Sequence, residues 1–244
     1  MVRKFSHFLP LSVDAVAALE RLHEVRRHVP RNTPLNVQGQ PYGKVTLMVE
    51  GTAIRYKLLP DGRRQIINFV LPGDFVGLRG CFYGKALNSV LTLEASEVAL
   101  VAPDVLFDVL RAFPTLGGAM FWTAAMDQSI LVERIVTIGR RSAYERLAHL
   151  FLTLLERLQL IGLADERSYT LPLSQEILAD TLGLSVVHVS RTLARLRAAG
   201  LVTLKENRVT IHDLAGLSAV SDFEIGSLAH YRPPPFSVAT FRQE

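Results

Sequence analysis

Residues 174–200, SQEILADTLGLSVVHVSRTLARLRAAG, decide the fold of the C-terminal part of this chain. Apolar residues recur at helical spacing on both sides of the central glycine, which predicts two short helices joined by a tight turn. Ala179 is small where the helices must approach each other, and Ser174 and Ser185 stand where each helix needs an N-cap. The stretch therefore predicts a helix-turn-helix whose second helix covers residues 185–199.

The second predicted helix is basic, because it carries Arg191, Arg195 and Arg197. This composition suits a DNA-recognition helix, but an ordinary αα-hairpin with a solvated basic face remains the alternative. The residues predicted to contact DNA lie at the starts of both helices, along the second helix and in the hairpin that follows: Ser174, Gln175, Ser185, Val186, Val187, His188, Ser190, Arg191, Arg195, Lys205 and Arg208.

The hairpin after the helix-turn-helix predicts a wing. Residues 201–204 and 208–211 alternate as two short strands around Glu206-Asn207, which would bring Lys205 and Arg208 near a phosphate backbone. Upstream, the sequence SAYE at 142–145 is a capping box that predicts the start of a new helix, with a hinge at 139–142.

The predicted DNA-binding domain therefore covers residues 140–215. Asp213 is a candidate N-cap for one further helix. Residues 216–244 are predicted to hold that helix and an extended tail, in which Arg232 precedes three prolines.

Composition indicates a folded protein of one large or two modest domains. The chain has 244 residues, of which 49% are hydrophobic and 20% charged, and its net charge of +4 is too mild to indicate nucleic-acid binding alone. Its one cysteine, Cys81, excludes an internal disulfide and a four-cysteine metal site. The absence of a signal-peptide pattern and of a long apolar run predicts a cytoplasmic location.

The N-terminal half predicts an antiparallel β-roll (jelly-roll), so the expected fold class is α+β. Turn glycines recur eleven residues apart, at 51, 62, 73 and 84, with β-rich segments between them. A helix is predicted from Leu11 to His28, with Ser12 as its N-cap. The sensor domain is predicted to cover residues 1–114.

A long apolar helix is predicted at residues 115–139, and we interpret it as a dimerisation helix. Its apolar residues cover more than one face, so one surface can pack on the chain and another on a second copy. A wholly buried core helix is the alternative. The predicted dimer contacts are Met120, Trp122, Met126, Ile130 and Ile135.

A β-roll, a long helix and a winged helix-turn-helix, with the sequence PGDFVG at 72–77, resemble the CRP/FNR family of bacterial transcription regulators over residues 30–212. The resemblance implies a homodimer that binds a two-fold-symmetric double-stranded DNA site in the major groove, a sensor that shifts the DNA-binding domains, and RNA polymerase as a further partner. It also implies that Arg191 reads guanine. Val186 and Val187 depart from the family pattern, which has polar or charged readers there.

Cyclic-nucleotide-binding relatives have Gly-Glu after the GDF turn and an Arg-Ser or Arg-Ala pair about ten residues later. Here Leu78 follows Gly77, and Asn88-Ser89 occupies the second place, so cyclic AMP is not expected to bind. The effector itself is left open. The candidate effector-pocket residues are Leu78, Arg79, Cys81, Lys85, Asn88 and Ser89.

Other chemistries have less support. One cysteine cannot hold an iron–sulfur cluster, although Cys81 remains a candidate redox thiol or haem ligand beside its plainer interpretation as a small core residue. No catalytic motif occurs in a supporting context, and no histidine lies between His28 and His149, so neither an enzyme nor a metal site is expected. The alternative function is a small-molecule or redox sensor that acts mainly through protein contacts and binds DNA weakly.

Overall fold

The computed structural model describes residues 1–41 and 43–226, and its N-terminal half is a β-roll of two four-stranded antiparallel sheets. One sheet has the order β1-β8-β3-β6 and the other β2-β7-β4-β5. The strands are β1 (Arg26–Val29), β2 (Pro34–Asn36), β3 (Val45–Glu50), β4 (Ala53–Leu58), β5 (Arg64–Val70), β6 (Phe75–Val76), β7 (Ser89–Thr92) and β8 (Ser96–Val101).

The evenly spaced glycines lie at turns. All four have positive φ, between 68° and 89°, a conformation that glycine adopts without steric cost. At Gly51 there is a second reason for glycine, because a Cβ atom there would also overlap the side-chain oxygen of Ser96. The sequence-based prediction of an α+β fold with an antiparallel β-roll is therefore confirmed.

The N-terminal segment differs from its prediction. Helix α2 (Val13–Arg21) begins at the N-cap Ser12 but ends seven residues before His28. The end of the predicted helix instead forms β1, which pairs with β8 at the sheet edge. Pairing to a strand seventy residues away overrides the local helical pattern. The structure adds a further helix, α1 (Val2–Phe8), which the sequence did not predict.

The remaining helices and strands follow in chain order: α3 (Leu78–Tyr83), α4 (Pro103–Ala112), α5 (Pro114–Arg140), α6 (Ala143–Ile161), β9 (Ser168–Thr170), α7 (Gln175–Leu182), α8 (Val186–Ala198), β10 (Val202–Lys205), β11 (Arg208–Ile211) and α9 (Leu214–Ser221). The predicted break between the long helix and the next is present. Arg141 and Ser142 are extended, and Ser142 and Glu145 form the reciprocal capping box that starts α6.

Among the described residues, no single helix is long and apolar enough to cross a membrane. Helices α4 and α5 meet that length and composition only when taken together, and they are bent by 116° relative to each other.

A buried charge network ties the N-terminal helix to both halves of the chain. The carboxylate of Asp74, in the turn before β6, accepts hydrogen bonds from Lys4 of α1 and from Arg157 of α6, the latter at 3.1 Å. Arg157 also donates to Asn68 and to the carbonyl of Phe69, both in β5. Burial alone would raise the pKa of Asp74, but the charges of Lys4 and Arg157 hold it below its usual value. The network fixes α6 against the β-roll.

Two of the five predicted dimer contacts are buried within the chain itself. Met126 and Ile130 are each only 5% exposed, because they pack inside the chain with Phe8 of α1 and Leu160 of α6. Trp122 stacks on Phe8 with ring centroids 5.9 Å apart, and Met120 is partly buried in the β-roll cluster. Ile135, by contrast, is 72% exposed. Sequence periodicity could not show that α1 covers this side of α5, since the contact joins residues more than a hundred positions apart.

Candidate nucleic-acid interface

The predicted helix-turn-helix is formed by α7 and α8. Ser174 accepts a hydrogen bond from the N–H of Ile177 at 3.2 Å, and Ser185 accepts one from the N–H of His188 at 3.2 Å, so both are N-caps. Gly183 ends α7 in the left-handed conformation, with φ of 65°. The caps and the turn glycine account for the local shape of the motif.

One side of α8 is free to meet a ligand. Val189, Thr192 and Leu196 are buried against the domain, and at 3.6 residues per turn they occupy a single face. Arg191 lies close to the middle of the opposite face, and its guanidinium group has no hydrogen-bond or ion-pair partner within residues 1–41 and 43–226. The exposed face is formed by Val186, Val187, Ser190, Arg191, Ala194, Arg197 and Ala198.

Arg195 and His188 lie at the edge of this face nearest α6. The guanidinium carbon of Arg195 stands 4.9 Å from the ring centroid of Tyr144, which is a cation–π contact. His188 and Arg195 border a shallow pocket together with residues 142–145. Tyr144 therefore positions Arg195, and no pattern in the sequence indicated this contact.

The wing is present with the predicted turn. Strands β10 and β11 pair in antiparallel register, with Lys205 opposite Arg208, and Glu206 and Asn207 both have positive φ, at 51° and 64°. Lys205 is exposed at the tip, where its ion pair with the equally exposed Glu206 is long, at 3.8 Å. The guanidinium group of Arg208 already has two partners, since it donates to Ser168 at 2.6 Å and pairs with Asp165 at 3.1 Å. Lys205 is therefore the freer cation of the two.

The C-terminal end of α7 is held by the β-roll. Arg64 forms an ion pair with Asp180 at 2.6 Å, and the side-chain amide of Gln65 donates to the carbonyls of Asp180 at 2.9 Å and Thr181 at 3.2 Å. Apolar residues of β4 and β5 also share one buried cluster with α6, α7 and α8. The sensor half and the helix-turn-helix thus meet directly in this conformation, which no local sequence pattern could have predicted.

The candidate effector residues do not share one environment. Arg79 and Lys85 are exposed, whereas Asn88 and Ser89 are buried, and the Ser89 hydroxyl accepts from the N–H of Gln38 at 3.0 Å. Leu78 and Cys81 pack partly against the core cluster of the β-roll. Burial raises the pKa of the Cys81 thiol, so the thiolate is disfavoured and its oxidation is not promoted. Within the described residues, no group of three or more His, Cys, Asp or Glu side chains could hold a metal ion.

A titratable residue, His149, lies where α5, α6 and α7 meet. Its side chain is largely buried, with Nε2 3.4 Å from Glu133 and Nδ1 3.2 Å from the hydroxyl of Thr153. Burial lowers its pKa to about 4, and the charge of Arg141 acts in the same direction.

Acidification should therefore destabilise the protein through His149. Below pH 6.5 the unfolded chain binds a proton at this residue, whereas the folded chain does not until about pH 4, so stability is lost as the pH falls through that interval. The full effect is at most about 3 kcal/mol. Urea unfolding between pH 7 and pH 5 should show a smaller loss of stability in His149→Leu than in the parent chain. Equal pH dependence in the two proteins would contradict this assignment.

The β-roll, the capped helix-turn-helix and the wing define a class of protein, namely DNA-binding transcription regulators with a nucleotide-binding-type sensor domain. Two family models match accordingly: a cyclic nucleotide-binding domain over residues 26–113 and a Crp-like helix-turn-helix domain over residues 145–220.

Individual relatives agree with this class. The chain is 34% identical to the nitrogen fixation regulation protein FixK of Bradyrhizobium diazoefficiens over 71% of this chain and 72% of that one. It is 33% identical to the transcriptional activatory protein AadR of Rhodopseudomonas palustris, with 80% of each chain covered. The structure of FixK2 from Bradyrhizobium japonicum superposes with a TM-score of 0.70 at 26% identity, over 80% of this chain and 96% of that one. This chain belongs to the CRP/FNR family and is a DNA-binding transcription regulator of that type.

Proposed function

We propose that the chain acts as a homodimer that reads a two-fold-symmetric DNA site, with α8 of each copy in the major groove. The observation that carries this proposal is the exposed face of α8, at whose centre Arg191 has no partner within the described residues. A free guanidinium group can donate two hydrogen bonds to O6 and N7 of guanine. Val186 and Val187, which are 42% and 59% exposed, can contact thymine methyl groups but cannot hydrogen-bond a base.

A second copy of the chain is the partner that the uncovered side of α5 fits best. Six residues on that side recur at alternating spacings of three and four, the spacing of a two-stranded coiled coil: Phe121, Ala124, Gln128, Leu131, Ile135 and Ile138. Phe121 and Ile135 are more than 70% exposed, which is costly for large apolar side chains unless a partner covers them. This face replaces Met126 and Ile130 in the predicted dimer contact.

We further propose that the sensor half does not respond to cyclic AMP. Leu78 stands where nucleotide-binding relatives have an acidic residue, and the buried Asn88 and Ser89 offer no cation for a phosphate. A buried phosphate without a counter-charge is strongly disfavoured. The proposed role is regulation of transcription in the cytoplasm, with RNA polymerase as a further partner, and not catalysis.

The substitution Arg191→Ala tests the recognition role. We expect it to weaken binding to the cognate site by about 1–3 kcal/mol and to relax base preference at one position of each half-site. Fluorescence anisotropy with the cognate duplex, single-base variants and random DNA measures both effects. Arg111→Ala is the matched control, because Arg111 is exposed on α4 and pairs with Asp108 of the same helix.

Two outcomes would count against the recognition role. Equal losses on cognate and random DNA would mean that Arg191 contacts only phosphate. Weak binding by the parent chain to every duplex would favour the alternative, a sensor that acts mainly through protein contacts.

A further inference from the structure

A cavity of about 310 Å³ lies between the long helix and the DNA-binding domain. Its walls come from α5, α6, the end of α7 and residues 222–224, so it is separate from the β-roll interior. The volume is about that of ten liquid water molecules at ~30 Å³ each, which matches a compact ligand of about ten non-hydrogen atoms. One part of its wall is apolar and is formed by Met126, Ile130, Leu150, Leu182 and Phe223.

Two arginines in the same wall bond to backbone carbonyls. Arg134 donates to the carbonyl of Thr181, at 3.3 Å, and Arg146 to the carbonyls of Arg141 and Leu182. Within residues 1–41 and 43–226, neither forms an ion pair with a carboxylate. Arg141, in contrast, is neutralised by Glu133 at 3.1 Å.

Burial disfavours the charged form of Arg134. Burial lowers its pKa to about 10, and the charge of Arg157 adds to that effect. A guanidinium group removed from water without an anion is energetically unfavourable, so a ligand that supplies the anion gains the energy of that pairing.

The acidic residues of the cavity do not supply that anion. Glu133 is already shared between Arg141 and His149. Asp222 and Glu224 are exposed, so water and salt screen their charges.

We propose that this cavity binds a small organic anion, with its apolar body against Met126, Ile130 and Phe223 and its anionic head on Arg134 and Arg146. The same guanidinium groups hold the last carbonyls of α7, directly before the turn glycine of the helix-turn-helix. A bound anion would accept hydrogen bonds from these two guanidinium groups and so weaken their hydrogen bonds to the carbonyls at the end of α7. The ligand is thus an effector of DNA binding. This consequence rests on the proposed function, whereas the existence of the binding site does not rest on it.

Octanoate, which has ten non-hydrogen atoms, is the probe, and octan-1-ol is its uncharged counterpart. Calorimetry on the full chain should show octanoate bound at one site per chain and at least tenfold tighter than octanol. Arg134→Met should reduce octanoate affinity at least tenfold. Arg140→Met, which removes an exposed arginine from the same helix, should leave it unchanged.

Equal binding of octanoate and octanol, or unchanged octanoate binding by Arg134→Met, would overturn the proposal and leave the two arginines as caps of α7 only. Ser129→Trp is a second variant that does not alter the buried charge, because Ser129 is exposed where it lines the cavity. It should block octanoate binding while the chain stays folded, and binding that persists would also overturn the proposal. Anisotropy with operator DNA, with and without octanoate, separates the outcomes, since failure to bind DNA under both conditions refutes the proposed function and not the site.

Discussion

Replacing Ile135 with glutamate is expected to lower affinity for the cognate DNA site by a factor of about 10²–10⁴. The side chain is 72% exposed on the coiled-coil face of α5, where a second copy would bury it. A carboxylate in that contact loses its hydration without gaining a partner, so the dimer dissociates. Each monomer then engages one half-site and loses the high effective concentration that a linked second half-site provides.

Analytical ultracentrifugation measures whether the Ile135→Glu chain is a monomer or a dimer. Fluorescence anisotropy with operator DNA measures its DNA affinity. Val13→Glu is the matched control, because Val13 is 85% exposed on α2, away from the coiled-coil face. It should leave both the oligomeric state and the DNA affinity of the chain unchanged. An Ile135→Glu protein that remains a dimer with full affinity would show that the copies do not meet along this face.

Asp74→Ala should lower the free energy of unfolding by about 3–5 kcal/mol, because it leaves two buried cations without their shared anion. Lys4 and Arg157 are each 4% exposed, and both donate to this carboxylate. The loss should appear as a lower midpoint in urea unfolding of the full chain at pH 7.

Asp61→Ala is the matched control for Asp74. It also removes an aspartate that pairs with an arginine, but Asp61 and Arg63 are exposed in the β4–β5 turn, so the urea midpoint should hardly move. The double variant Lys4→Met/Asp74→Ala should recover part of the stability lost in Asp74→Ala, since it removes one of the stranded cations. Equal midpoints for Asp74→Ala and Asp61→Ala would show that the network does not hold α1 and α6 to the β-roll.

Local patterns predicted the parts of the fold that depend on neighbours in sequence. The two serine N-caps of the helix-turn-helix, the Ser142–Glu145 capping box and the wing turn are all present, because each is decided within about four residues. The turn glycines of the β-roll were predictable for the same reason, since each needs a backbone conformation that glycine supplies.

Long-range contacts could not be predicted. The pattern of α5 indicated excess apolar surface, but which side is covered within the chain depended on Phe8, whose contact with Trp122 joins distant parts of the chain. The contacts of Arg64 with Asp180 and of Arg157 with Asp74 likewise join elements about a hundred residues apart. Nothing in the sequence around Arg134 indicates that it has no carboxylate partner among residues 1–41 and 43–226.

Selection of genomic DNA fragments by the purified protein tests the central proposal most directly. A dimer with α8 of each copy in the major groove should enrich an inverted repeat whose half-site centres lie about 10–10.5 base pairs apart, or a multiple of that spacing. Each half-site should contain a guanine whose importance disappears in Arg191→Ala. Failure to enrich any sequence, or enrichment of a single half-site without its symmetric copy, would contradict the account.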